Sequence, residues 1–146
     1  MTFRDQLQRN LVAVISVLIA VGSLSYNTWR NEKTEYNRNQ RQGSFQVLAG
    51  LSELREITFH LRWDTKTVEE GALRSGWVKV LTVKDLSQVL ESPVPAAAES
   101  LRGSWEKYSA DLTSGDEAVA RAAVSAILGE IDTMRDVTLA MLRDLD

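Results

Sequence analysis

The chain has 146 residues, of which 17 are Lys or Arg and 20 are Asp or Glu, and its net charge is −3. It has no cysteine, which excludes disulfide bonds, thiol nucleophiles and thiolate metal sites. A chain of this length has room for a terminal anchor and one domain of ordinary size.

The first predicted element is a membrane anchor over residues 10–29, which follows a short tail, residues 1–9. The anchor carries no charge between its two flanking arginines. A helix of about 20 residues reaches roughly 30 Å, the thickness of the hydrocarbon core of a bilayer. Aromatic side chains near its end fall where they would meet the headgroups. The predicted membrane-interface residues are Arg9, Tyr26, Trp29 and Arg30.

Two other interpretations of this segment remain open. A basic start followed by an apolar run and small residues is typical of a secretory signal peptide, whose cleavage after Ser25 would release a secreted helical protein. The segment could instead be a buried core helix, although so short a chain has little with which to cover a helix that is apolar on every side. We expect a retained signal anchor that spans the membrane once.

The charge distribution bears on orientation and on partners. Residues 30–66 have a net charge of +2 and residues 67–146 a net charge of −6. Basic residues beside a bilayer are attracted to anionic headgroups at about 1 kcal/mol each, whereas an acidic distal half repels nucleic acid. Counting basic residues in the two flanks would place the domain inside the cell, but long domains translocate with little regard to charge. We expect a bacterial inner-membrane protein with its tail in the cytoplasm and its domain in the periplasm.

One face of the anchor carries small or polar residues at spacings of three and four. In lipid, such a face lets two helix backbones approach closely and offers polar partners across the contact. The same residues also fit the ordinary composition of membrane helices, and this interpretation stays open. The predicted packing face consists of Ala13, Ser16, Ala20, Ser23 and Asn27.

After the anchor, residues 30–43 are predicted to be a helical juxtamembrane link. Residues 37–43, NRNQRQG, are polar all round and weak in helix propensity, so a bent or frayed link is an alternative. The helix is expected to continue through Trp63, because apolar positions recur at spacings of four and three. These positions are Val47, Leu51, Leu54, Thr58 and Leu61.

The second helix is predicted to begin at a capping box, in which Thr67 and Glu70 satisfy each other's backbone donors. It is expected to end before Ser92, where two prolines follow. Its predicted apolar face consists of Trp77, Val80, Val83, Leu86 and Leu90. Pro95 suits the first position of a third helix, whose apolar positions are Leu101, Trp105, Tyr108 and Leu112.

The fourth helix has the most regular pattern. A glycine stop at Gly115 is followed by Asp116, a preferred N-cap residue. A heptad seam with one polar break follows, namely Ile127, Ile131, Met134, Thr138, Met141 and Leu145. Four amphipathic helices with short connections indicate an all-α protein whose domain, residues 44–146, is an antiparallel, up-down four-helix bundle.

Few residues suggest chemistry. His60 is the only histidine, and Glu56 precedes it by four, whereas di-iron bundles need two Glu-x-x-His motifs. No phosphate-binding loop and no nucleophile with a plausible base can be found. We therefore expect no metal, no cofactor and no enzymatic activity.

Two aromatic or basic features could still bind a ligand. Arg55, Phe59, Arg62 and Lys66 recur at spacings of four and three near Trp63, a stripe that could hold a carboxylate or phosphate. An ordinary solvated basic face is the alternative, and it is the one we favour. The tryptophans of the domain are expected to be core anchors rather than a pocket; they are Trp63, Trp77 and Trp105.

The sequence therefore predicts a non-enzymatic interaction or accessory module for a membrane assembly. Its expected partners are the bilayer and either another membrane protein or a second copy of itself. A ligand-sensing bundle outside the cytoplasm is the alternative. In the order of its elements the chain looks like the helical sensing domains of bacterial chemoreceptors, a likeness that no motif carries. The accessory role is favoured because no second crossing follows to carry a signal inward.

Overall fold

A computed structural model describes residues 3–63 and 70–145 of the chain. These residues form four α-helices and one 3₁₀ turn, and no strand occurs among them. The helices are α1 Phe3–Trp63, α2 Glu70–Ser87, α3 Val94–Tyr108 and α4 Glu117–Asp144, with the 3₁₀ turn at Ser109–Thr113. The predicted all-α class and the long apolar N-terminal helix are confirmed.

The chain divides into two compact units, Met1–Arg38 and Asn39–Asp146. Within the described residues, the first unit consists of the N-terminal part of α1. The second unit contains the rest of α1 together with α2, α3, the 3₁₀ turn and α4. Every buried core residue in the described part of the chain lies in the second unit.

The core is built from every helix of the second unit. Its largest side chain is the indole of Trp105, which is fully buried. The predicted seams of α1 and α4 both supply core residues, as the 3.6-residue period of an amphipathic helix requires. The buried core residues are Val47, Leu51, Leu54, Leu61, Val80, Val83, Leu90, Val94, Ala98, Leu101, Trp105, Leu112, Ala123, Val124, Ile127, Ile131, Met134 and Met141.

The polar segment at residues 37–43 is helical and lies within α1. Gln40 is buried, and its amide donates to the carbonyl of Val89 at 2.8 Å and accepts from the backbone N–H of Glu91 at 3.1 Å. Gly43 faces Leu90, whose Cδ2 would lie 2.9 Å from a Cβ at this position. The frayed alternative is therefore wrong for residues 39–43, because this part of the segment is helical and packs against the connection between α2 and α3.

The ends of α2 and α3 differ in detail from the prediction. The capping-box residue Thr67 lies outside the described residues. Helix α2 ends at Ser87, six residues before the first proline of the connection, Pro93. Helix α3 begins at Val94, so that Pro95 occupies its second position rather than its first. A proline is tolerated at either place, since the first N–H groups of a helix have no intrahelical partner.

The predicted start of α4 is confirmed at Asp116. Its carboxylate accepts from the backbone N–H groups of Ala118 at 2.9 Å and Val119 at 3.3 Å, the hydrogen bonds of an N-cap. The polar break in the seam, Thr138, is fully buried and donates its hydroxyl to the carbonyl of Met134 at 2.8 Å. The hydroxyl is thereby hydrogen-bonded within its own helix, so Thr138 can be buried in the seam without an unpaired polar group.

Polar contacts join the helices of the second unit in pairs. Between α1 and α4, Arg62 pairs with Glu117 and Arg55 pairs with Asp132, while Arg41 donates to the carbonyl of Leu145 at 3.0 Å. Two further ion pairs connect α1 with α2 and α2 with α3. They are Glu53 with Lys79 and Lys84 with Glu99.

Candidate functional site

The anchor segment exposes its apolar side chains. Within α1, the most hydrophobic 18-residue window has a mean hydropathy of 1.8, and none of it is buried. Val12 is 73% exposed and Leu18 is 66% exposed, where a core helix would be covered. Among the described residues, this is the one helix long and apolar enough to cross a membrane. The interpretation as a buried core helix has no support in the structure.

The predicted packing face of the anchor lies open along its whole length. Ser16 donates its hydroxyl to the carbonyl of Val12 at 2.7 Å, so this polar group is satisfied within the helix itself. A helix in lipid requires such internal hydrogen bonds, because the hydrocarbon offers no alternative partner. All five residues of the face are exposed, namely Ala13, Ser16, Ala20, Ser23 and Asn27.

Three of the four predicted interface residues lie at the C-terminal end of the apolar run. The rings of Tyr26 and Trp29 lie 6.1 Å apart between centroids, and both are more than half exposed. Arg30 follows directly and is also exposed. Arg9 lies within α1, but its side chain falls outside the described part of the structure. Two exposed, adjacent aromatic rings beside a charge have the arrangement of a headgroup belt.

The two arginines of the basic stripe near the end of α1 form ion pairs with two different acidic residues of α4. Arg62 pairs with Glu117 at the start of α4, and Arg55 pairs with Asp132 four turns further along that helix. Phe59 and Trp63 contact each other with ring centroids 5.3 Å apart. Lys66, the last predicted residue of the stripe, lies outside the described residues. The structure therefore does not bring Arg55 and Arg62 together at one position.

Glu117 is held by two cations. The hydrogen bond from Arg62 is the main reason that the pKa of this carboxyl lies below its ordinary value, and the hydrogen bond from Arg121 lowers it further. Glu99 is in a similar position, because hydrogen bonds from Lys84 and then Arg102 lower the pKa of its carboxyl. Both glutamates are therefore charged partners on the surface of the second unit rather than proton donors at neutral pH.

The three tryptophans have different surroundings. Trp105 is fully buried, as predicted, and its indole lies against Gly76. Trp77 is half-buried at the edge of the core. Trp63 is 59% exposed, so its assignment as a core anchor is wrong. It is the last residue of α1 and lies beyond the apolar seam of that helix, which ends at Leu61.

Sequence reasoning missed a groove between α1 and α4. The groove has a volume of about 270 Å³. Its charged residues come from both helices. The spacing of residues within one helix could not predict that residues of α1 and α4 would line the same groove. The lining residues are Leu51, Ser52, Arg55, Ile131, Asp132 and Arg135.

His60 and Glu56 are both exposed on α1. Over residues 3–63 and 70–145, no group of three His, Asp or Glu side chains is placed to hold a metal ion. No family model matches this chain, and neither the curated proteins nor the solved structures contain a significant match to it.

Proposed function

We propose that the protein is a single-pass, membrane-anchored interaction module without enzymatic activity. The observation that carries this proposal is the exposed apolar surface of the anchor. At about 25 cal/mol per Å² of apolar surface, leaving a run of Leu, Ile and Val side chains in water is strongly unfavourable. A bilayer covers such a helix completely, and the anchor has the length that one crossing needs.

We propose further that the second unit is an up-down four-helix bundle. The order of its inter-helix contacts supports this topology. Along α1 the contact residues run Arg41, Arg55, Arg62, while their partners run in the reverse order, namely Leu145 directly after α4, then Asp132 and Glu117 within it. Contacts of α1 with α2 and with the connection that follows it run in reversed order as well, with Gly43 beside Leu90 of the connection, Gly50 beside Val83 and Glu53 beside Lys79. Reversed order is what antiparallel neighbours with short connections produce.

The orientation proposed here leaves the short tail in a bacterial cytoplasm and the bundle in the periplasm. A chain without cysteine makes this testable with single-cysteine variants. We expect Gly115→Cys, in the exposed connection before α4, to react with a membrane-impermeant maleimide added to intact spheroplasts. Gln6→Cys should react only after the membrane is opened, and Leu18→Cys should react poorly until detergent is added.

Each alternative outcome of the labelling has a defined meaning. Labelling of Gln6→Cys but not Gly115→Cys in intact spheroplasts would reverse the orientation. Loss of the tail, seen as a mature chain that begins after Ser25, would make the protein a secreted one. Extraction of the unprocessed protein by alkaline carbonate would refute the anchor itself.

The proposed partner is another membrane protein or a second copy of this chain, docked on the packing face of the anchor. Support comes from the exposure of small side chains on one side of a helix in which the other sides are bulky. A helix face of small side chains allows two helix backbones to approach closely. Within a bilayer the hydrophobic effect does not drive helices together, so the van der Waals packing of such faces drives their association.

Purification of the tagged full-length protein in a mild detergent tests this association. A second membrane protein recovered in fixed ratio would establish an accessory role, and a dimer of the protein alone would establish self-association. Ser16→Ile with Ala20→Ile should weaken either complex, whereas the matched pair Val14→Ile with Val21→Ile should leave it intact. Equal association of both double variants would remove the packing face from the proposal.

A further inference from the structure

The groove between α1 and α4 combines fixed charges with an apolar floor. Leu51 and Ile131 form the floor, and each is only 1% exposed because both belong to the core. Ser52 and Arg55 stand on the α1 side, and Asp132 and Arg135 stand on the α4 side. Since the floor residues hold both helices in place, the charged residues project from rigid supports, which reduces the ordering cost of binding.

The lining of the groove carries one acid, Asp132, and two bases, Arg55 and Arg135. Asp132 pairs with Arg55 across the groove. Arg135 is paired with Asp136, its neighbour along α4, and their N···O distance of 3.8 Å is too long for a hydrogen bond. A guanidinium has five N–H donors in a planar fork that matches a carboxylate. Arg135 therefore has donors available for a second carboxylate.

Asp132 also has unused capacity. A carboxylate offers about four acceptor positions on its two oxygens, and the hydrogen bond from Arg55 occupies one of them. An ammonium group could therefore bind Asp132 while the existing pair is kept. Ser52 donates its own hydroxyl to the carbonyl of Leu48 at 3.1 Å, which leaves its oxygen free to accept.

We propose that this groove binds a small zwitterion of the α-amino acid type. The carboxylate of the ligand accepts from Arg135, and its ammonium donates to Asp132 and to the oxygen of Ser52. A simple anion would meet the charge of Asp132, and a simple cation would meet two guanidinium groups. A ligand with both charges satisfies both sides of the groove.

The size of the groove limits the ligand. Its volume of about 270 Å³ corresponds to roughly nine water molecules at about 30 Å³ each. An amino acid with a short aliphatic side chain fits this space. This inference goes beyond the proposed interaction function and does not depend on it.

Isothermal titration of the full-length protein in detergent micelles at low salt tests the proposal. The probes are glycine, L-valine and L-leucine, together with isovalerate and isobutylamine, which are valine without its ammonium and without its carboxylate. We expect saturable binding of valine with a Kd on the order of 1 mM or tighter, and binding at least about tenfold weaker for each single-charge analogue.

Variants then assign the two contacts. Arg135→Gln and Asp132→Asn should each weaken valine binding by about tenfold or more, and Arg143→Gln, an exposed arginine of α4 outside the groove, should not. Far-UV circular dichroism checks that each variant is folded; if Asp132→Asn is not, Arg135→Gln and the analogues decide. The proposal is overturned if no zwitterion binds saturably, if either analogue binds as tightly as valine, or if Arg135→Gln binds normally. None of these results would bear on the anchor or on its partner.

Discussion

Replacement of Gly76 by alanine should destabilise the second unit, although alanine is the better helix former. A Cβ at this position would lie 2.1 Å from Cζ2 and 2.5 Å from Cη2 of the Trp105 indole. The ring is fully buried among core side chains, so it cannot withdraw by more than 1 Å without displacing its neighbours. Gly76 is therefore required by the close approach of α2 to α3.

Two opposing effects set the magnitude. Alanine gains about 1 kcal/mol over glycine in a helix interior through its lower conformational entropy. Forcing an extra carbon into a packed core costs about 1–3 kcal/mol, and the short distances to a rigid ring favour the upper end. We expect a net loss of about 2 kcal/mol in the free energy of unfolding. Gly129→Ala is the matched control, because nothing lies within 4 Å of its Cβ position on α4.

Urea unfolding of the full-length protein in micelles, followed by far-UV circular dichroism, measures both variants. Gly129→Ala should raise the free energy of unfolding by about 0.5–1 kcal/mol. The two variants should therefore differ by about 3 kcal/mol, with the near-UV signal of Trp105 changed in Gly76→Ala alone. Equal stability of the two variants would refute the reasoning, since it would mean that the indole has room to move.

Three other predictions concern polar contacts. Gln40→Leu loses the hydrogen bonds to Val89 and Glu91 and leaves their backbone groups unpaired. We therefore expect the free energy of unfolding to fall by about 2 kcal/mol and hydrogen exchange at the Glu91 amide to become faster. Unchanged exchange at this amide would contradict the role of Gln40 in these two hydrogen bonds. Asp116→Ala removes the N-cap of α4 and should cost about 1 kcal/mol in urea unfolding, whereas Asp116→Asn should cost much less. The pKa of Glu117 is lowered in the folded state, mainly by the hydrogen bond from Arg62. The ionised carboxylate therefore stabilises the folded state fully above the ordinary glutamate pKa, and this stabilisation is lost as the pH falls through the lowered pKa. Glu117→Gln should therefore flatten the acid side of a plot of urea midpoint against pH, and an unchanged acid slope would contradict this assignment.

Local patterns were sufficient where a single helix decides the outcome. The N-cap at Asp116 and the seam of α4 follow from backbone hydrogen-bonding needs and from helical periodicity, and both depend on residues within one turn or one face. The core position of Trp105 was predicted for the same reason. Trp63 shows where residue type alone misleads, because this tryptophan is 59% exposed and lies outside the apolar seam of its own helix, which ends at Leu61.

Contacts between helices could not be predicted in this way. Gln40 lies in a segment whose composition favours a loose link, and only the arrival of residues 88–91 gives its amide two partners. Likewise, the spacing of Arg55 and Arg62 on one helix allowed a shared anion site beside the favoured solvated face, but it could not predict that Arg55 pairs with Asp132 on another helix. Helix register relative to a partner decides such contacts, and no periodicity within one helix encodes it.

The paired hydrogen bonds of Gln40 restrict how this protein can diverge. Its side-chain amide resembles a backbone peptide group. Its N–H donates to the carbonyl of Val89 and its carbonyl accepts from the N–H of Glu91, both in the connection between α2 and α3. Glutamate would lack the donor, lysine would lack the acceptor, and asparagine would be shorter by one methylene. Distant homologues should therefore retain glutamine at this position together with a small residue at the position of Gly43. That pair, followed after about fifty residues by a proline-containing turn, offers a sequence signature by which homologues could be recognised.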